Sequence, residues 1–316
     1  MIQARTFFAR QRSVLIAYGA AAALFAVTSL FNPGFAGPVH LRFLLLTASF
    51  LGIVALGQTF VILAGGIDLS VPWAITASAT LLTYWTNGQD AALPRVVPIL
   101  IVLAIALGLF NGIGVGVIHV SPIIMTLCTN VILEGALLMV IGGQQASNPP
   151  PSVVAFATAS LGPIPYGLAI WLVLGLLATV VLTRSAFGRR LYAVGTSLTV
   201  SEFSGVNVAA TRIATYVISA LCAALAGVLL VGFVGQSYFG LGDEYLFGSV
   251  AAVAIGGASI LGGRGNYVGT IAGALALTFL NGMLPILNLQ TGWLLIIYGL
   301  AILLTAGLAT AGRRAA

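Results

Sequence analysis

The sequence predicts an all-α bundle that crosses a membrane about ten times, with both termini in the cytoplasm. Three observations predict it. The 316 residues are 60% hydrophobic and 6% charged, against about 25% charged in a soluble domain. Mean hydropathy is +1.13, and the apolar residues fall into runs near the ~20 residues that a lipid core demands. Finally, all 12 basic residues are arginine, and their placement follows the rule that positive charge stays inside. Helices close their own backbone hydrogen bonds in lipid, so long apolar runs read as helices.

In chain order the runs cover 13–31, 41–64, 70–86, 96–118, 122–141, 164–183, 213–234, 246–262, 266–285 and 291–310. The first follows Arg5, Arg10 and Arg12 as a signal peptide would; it is long for one and reads as a retained helix. Ten spans with the N-terminus inside put Arg5, Arg10, Arg12, Arg184, Arg189, Arg190, Arg212, Arg264, Arg313 and Arg314 in the cytoplasm, and leave Arg42 and Arg95 outside. Outer loops then fall at 87–95, 143–163 and 236–245. The second carries Pro149-Pro150-Pro151 and is expected to be irregular. The third carries Asp243 and Glu244, either a solvated face or a place where an external protein docks. No composition break divides the chain, so 1–316 reads as one membrane domain, with a polar cytoplasmic loop at 184–212.

Polar residues inside the spans are the candidate pathway. Thr126, Asn130 and Glu134 stand four apart, on one helical stripe. An acid there faces the bundle interior or water; the stripe serves either packing or passage. Asn111 and Asn281 each precede a glycine, and Thr270 and Thr278 share a face with Asn281. Amides suit a neutral polyhydroxylated solute, offering donors and an acceptor without fixed charge; they equally bridge helices. Asp68, in Gly65-Gly66-Ile67-Asp68-Leu69-Ser70, precedes the third span, where Asp and Ser cap helices; capping and gating are both compatible with it. Gly108, Gly112 and Gly116 form overlapping small-residue spacings that let backbones approach. Ala64-Gly65-Gly66 is echoed by Ile255-Gly256-Gly257, and Asn111-Gly112 by Asn281-Gly282, a faint sign of internal repetition.

Several function classes drop out. Without lysine the chain cannot carry a standard phosphate-binding Walker loop. His40, His119, Cys128 and Cys222 stand apart, with no metal-ligand spacing. No nucleophile and base are paired in sequence, so no enzyme activity and no cofactor are expected. The net charge of +6 comes from arginines scattered between apolar runs, which points to lipid anchoring and not to nucleic acid.

Three segments carry a family resemblance. They are Gly65-Gly66-Ile67-Asp68-Leu69-Ser70, then Phe187-Gly-Arg-Arg-Leu-Tyr-Ala-Val-Gly195 followed by Phe203-Ser-Gly-Val-Asn207, then Ala254-Ile-Gly-Gly-Ala-Ser-Ile-Leu-Gly-Gly-Arg-Gly265. In that order they resemble the signatures of ribose-type monosaccharide ABC transporter permeases, over roughly 40–310. The resemblance implies the inner-membrane subunit of an importer. It would act with a second permease copy, the same or different, an ABC ATPase that binds the ATP, and a periplasmic solute-binding protein. It also implies that the loop around Gly188, Arg189, Tyr192, Gly195, Glu202, Ser204 and Gly205 contains the helix that couples to the ATPase. Two positions depart from the family pattern: Pro72 stands where glycine is usual, and 196–202 lacks the usual acidic, alanine-rich run. The rival reading is a stand-alone ion-coupled secondary transporter, with Glu134 as proton carrier.

Overall fold

Proline and glycine set the helix boundaries in the computed structural model, which describes residues 12–142, 148–290 and 292–314. Pro38, Pro72, Pro94, Pro122 and Pro151 each stand in a first helical turn, where a missing N–H costs nothing. Asn87, Gly142 and Gly235 end helices in the left-handed conformation. The helices are α1 (Arg12–Phe31), α2 (Pro38–Leu63), α3 (Val71–Thr86), α4 (Leu93–Gly116), α5 (Pro122–Ile141), α6 (Pro151–Thr158), α7 (Tyr166–Arg184), α8 (Ala186–Thr196), α9 (Leu198–Phe203), α10 (Val208–Val234), α11 (Tyr245–Ile255), α12 (Tyr267–Ile286) and α13 (Gly292–Arg314). A two-residue hairpin, β1 (Ser160–Leu161) with β2 (Ile164–Pro165), joins α6 to α7.

The protein is therefore an all-α polytopic membrane protein. Among the described residues, 7 helices are long and apolar enough to cross a membrane: α1, α2, α4, α5, α7, α10 and α12. Their outer faces display leucine, isoleucine and valine, as on Leu15, Ile101, Ile132 and Leu176, which suits lipid and not water. The core lies along α2 and α10. Small residues bring the helices together. On α4, Gly108, Gly112 and Gly116 lie against Val217, Ile213 and Ala209 of α10. On α2, a side chain at Gly57 would meet the Ser219 Cα at 2.7 Å, and one at Gly52 would overlap the Trp171 ring. That indole donates to the Tyr267 hydroxyl at 2.6 Å, which donates to the Gly52 carbonyl at 2.8 Å.

Three expectations change. The run 246–262 yields only α11, stopped at Ile255 by Gly256 and by Gly257 at φ 85°. Its 11 residues rise about 16 Å, short of the ~30 Å lipid core. The loop 143–163 is not irregular where it is described: Pro151 starts α6, and the hairpin follows. The segment 236–245 is no outer loop. Thr83 Oγ1 meets Ser237 Oγ at 2.9 Å near the end of α3, while Gly242 N donates to Thr76 Oγ1 at 3.0 Å near its start. The segment runs back down α3 into the bundle.

The two ends of the bundle differ in charge. One end gathers Leu63, the start of α10, α8 and the α11–α12 connection, and with them Arg184, Arg189, Arg190, Arg212 and Arg264. The other holds Arg42, which donates to Ser160 Oγ, and Asp90, whose carboxylate accepts from Ser152 N at 3.0 Å. Arg5 and Arg10 lie outside the described residues.

Candidate functional site

The α2–α3 connection is the most heavily bonded polar segment of the bundle. α2 ends because Gly65 takes φ 80°, which lets Gly66 N reach back to the Val61 carbonyl at 3.0 Å. The chain then climbs back alongside α10. Asp68, 2% exposed, accepts at Oδ1 from Ser70 N (3.0 Å) and Ser70 Oγ (2.6 Å), and at Oδ2 from Ser219 Oγ of α10 (2.7 Å). Asn111 Nδ2 of α4 donates to Ser70 Oγ at 2.9 Å, and Thr129 Oγ1 of α5 donates to Asn111 Oδ1 at 2.7 Å. Thr126 Oγ1 accepts from Leu69 N at 2.9 Å. Three helices thus hold one short linker. Carboxylates with several donors are strongly held in a dry interior.

Ser70 does not cap α3 with its side chain. Its backbone is helical, φ −84° and ψ −8°, whereas a capping serine is extended. Its hydroxyl turns to Asp68 instead, so the linker is tied across helices more than it caps one.

Of the pathway candidates, the structure brings Asp68 and Asn111 together. Asn130 and Glu134 are half-buried on α5, and the Asn130 Oδ1 has no partner among the described residues. Asn281 is exposed on α12, while its stripe-mates are packed away: Thr270 bonds Thr59 at 3.0 Å and Thr278 bonds its own helix. Sequence reasoning passed over Ser219 and Thr129. Only their burial in a span signals them, and nothing in sequence ties Ser219 to Asp68. It also missed Gln58, fully buried with neither amide atom partnered among the described residues.

The candidates in the 184–212 loop divide by direction. Gly188, Tyr192 and Gly195 face the bundle. A side chain at Gly195 would overlap the Leu63 carbonyl and come within 2.6 Å of Gly263 N; one at Gly262 would lie 2.8 Å from Gly65 Cα. Gly263 N itself donates to Leu63 O at 3.1 Å. The Tyr192 hydroxyl donates to Gly265 O at 2.8 Å; partial burial pushes that phenol above its ordinary value, keeping its proton for the bond. The three glycine-bearing motifs therefore meet at one point. Arg189, Glu202, Ser204 and Gly205 face outward. Beside them on α9, Val200 and Phe203 are 64% and 89% exposed, an apolar projection from a polar loop.

A crevice of about 540 Å³ opens between α3, α4, α5 and α10. Trp85, Phe110, Leu107 and Leu133 line it, with Ser78 and Thr129 as its hydroxyls. Such a surface suits acyl chains or another helix better than a polyol.

The protein this arrangement defines is a transport permease. The family model described as branched-chain amino acid transport system / permease component matches residues 40–306, and the chain belongs to that family. It resembles the ribose import permease protein RbsC of Bacillus subtilis (strain 168), 32% identical over 89% of this chain and 88% of that protein. RbsC of Escherichia coli (strain K12) is 31% identical, over 89% and 88%. The autoinducer 2 import system permease protein LsrC of Enterobacter sp. (strain 638) is 32% identical, over 92% and 84%. No solved structure matches the chain. It is a multi-pass protein of the inner membrane.

Proposed function

We propose that this chain is the non-catalytic, membrane-spanning subunit of an ABC importer that takes up a monosaccharide or related polyol. ATP is bound and hydrolysed by a separate subunit. The observation that carries the reading is the 184–212 loop. Its inner face is clamped to the bundle at Gly195 and Tyr192, and its outer face offers Phe203, Val200, Arg189 and Glu202. An apolar knob ringed by charge on a rigid base is what a soluble partner needs in order to push on membrane helices. The ribose and autoinducer 2 relatives support a polyhydroxylated solute.

In this reading residues 1–316 form one domain of ten passes with both termini cytoplasmic. The short helices α3 and α11 complete their passes with the linkers beside them. A second permease copy, identical or different, lines the other side of the pathway. A periplasmic solute-binding protein delivers the solute at the Arg42 end. ATP-driven closure of the ATPase pair moves α8 and α9, and the helices exchange outward for inward access.

The test is reconstitution in liposomes with the ATPase and binding protein, screening pentoses, hexoses and polyols. ATP hydrolysis stimulated by one sugar, with uptake that needs ATP, is the expected result. Uptake driven by an ion gradient without the ATPase would overturn it and return attention to Glu134.

A further inference from the structure

Asp243 and Glu244 are exposed at a depth where no acid can face lipid. Two independent registers fix that depth. From Ser237 to Gly242 the chain passes from Thr83 to Thr76 of α3, seven residues or about 10 Å inward. A side chain at Gly242 would run into Pro72, nearer still to the start of α3. On α11, a side chain at Gly248 would touch Leu51 at 3.4 Å; Leu51 lies midway along α2. Glu244 precedes Gly248 by four residues, about 6 Å. Both registers put the two carboxylates in the middle third of the bundle, where charge faces a water-filled path or a polar partner.

Their surroundings suit a sugar. Tyr238, Tyr245 and Tyr298 lie within electrostatic range of Glu244. Tyr238, Phe239 and Phe247 are 50%, 40% and 49% exposed. Carboxylates accept from hydroxyls, and aromatic rings cover the apolar faces of a pyranose or furanose. One further group lies on the same face of α3. Thr80 lies between Thr76 and Thr83 on the α3 stripe that bonds the segment; it is 3% exposed, and its hydroxyl has no partner among the described residues. A buried donor left open is costly and marks a place for water or a solute hydroxyl.

We infer that the inward-dipping segment 237–247 lines the solute path at mid-membrane, and that Asp243 and Glu244 accept hydrogen bonds from hydroxyls of a neutral polyol while Tyr238 and Phe247 offer it aromatic faces. The inference rests on the importer reading and adds the solute contact to it. Short, glycine-interrupted helices near the midplane are where transporters place such contacts.

Cysteine labelling tests it without relying on transport. Glu244→Cys is made in a background carrying Cys128→Ser and Cys222→Ala, and the chain is assembled with its partners in bilayers. A membrane-impermeant thiol reagent is expected to react at that position. Binding protein loaded with D-ribose, or with the sugar found in the screen above, should slow the reaction at least about threefold, and empty binding protein should not. Reaction only with a lipid-soluble maleimide would put the segment against lipid and overturn the inference. No reaction with either would put it under the second copy and overturn it as well, as would labelling that loaded binding protein leaves unchanged. Separately, Glu244→Gln should lower uptake about tenfold and narrow the discrimination between the sugar and its deoxy analogue, with the folded state undisturbed. Wild-type rates and discrimination would overturn the solute contact. If the wild-type assembly takes up no sugar with ATP, the importer reading fails on its own, while the water-reagent result still decides whether the segment lines a polar path.

Discussion

Two short linkers, 64–70 and 236–244, are built alike and used differently. Each follows a long helix ended by a left-handed glycine, Gly65 or Gly235, and each runs back into the bundle before a short helix, α3 or α11. Each carries acid at membrane depth. Asp68 is 2% exposed, with both oxygens bonded to Ser70 and Ser219. Asp243 and Glu244 are exposed. The lesson is that an intramembrane acid has to be read by where its lone pairs go. Inside the protein they tie helices together; when they stay open they await something that moves.

The largest test of this contrast is thermal stability. Asp68→Ala leaves the Ser219 hydroxyl and the Ser70 amide and hydroxyl without their acceptor in a dry site. A loss of about 3 kcal/mol is expected, read as a fall in Tm in lipid nanodiscs. Glu244→Ala strands no buried partner and should stay within about 0.5 kcal/mol of wild type, although uptake falls. Equal destabilisation by the two substitutions would erase the distinction between the linkers.

A second test probes how the first linker is held from the arginine-rich end. Gly195→Ala sets a methyl group against the Leu63 carbonyl, backbone against backbone, so neither side yields cheaply. A cost of about 2 kcal/mol is expected, with loss of coupling between ATP hydrolysis and uptake. The matching change at Gly235, which has open space but φ 82°, should cost about 1 kcal/mol through backbone strain alone. Denaturation of both variants in detergent measures the difference.

Much of this was legible in the sequence. Apolar runs mark the long helices, and the three glycine-bearing segments that carry the resemblance meet in the fold at Gly195, Leu63 and Gly263. The inward dip of 236–244 was not legible. Adjacent acids read as surface, and the threonines that seat the segment, Thr76 and Thr83, look like ordinary span residues. Register between elements 150 or more residues apart leaves no periodic trace, as with Ser219 and Asp68. The α5 stripe meets the linker at its first residue, Thr126, which accepts from Leu69 N; one turn on it is Thr129, not Asn130, that reaches Asn111.

A smaller effect is expected at Tyr192. Phenylalanine keeps the ring and removes one hydrogen bond to Gly265 O, worth about 1 kcal/mol. Because that bond joins α8 to the α11–α12 connection, the substitution should lower uptake more than ATP hydrolysis in the assembled importer. A parallel fall in both would make the bond a plain staple.

The smallest effect closes the comparison on the second sequence echo. Asn111-Gly112 and Asn281-Gly282 look alike, yet Asn111 is 1% exposed and bonded to Ser70 and Thr129, while Asn281 is exposed. Asn281→Ala removes no buried partner from any other group, so its effect on Tm should fall within about 0.5 kcal/mol. Asn281 lies on α12 next to Gly282, which faces Phe35 and Leu44, while the bonds that seat the two acidic linkers come from α3, α4, α5 and α10. Uptake should therefore also stay near wild type. A large loss of uptake with Tm unchanged would mean that the solute path reaches α12, and the polar face first read around Asn281 would join the segment at Glu244 as a second wall of one passage.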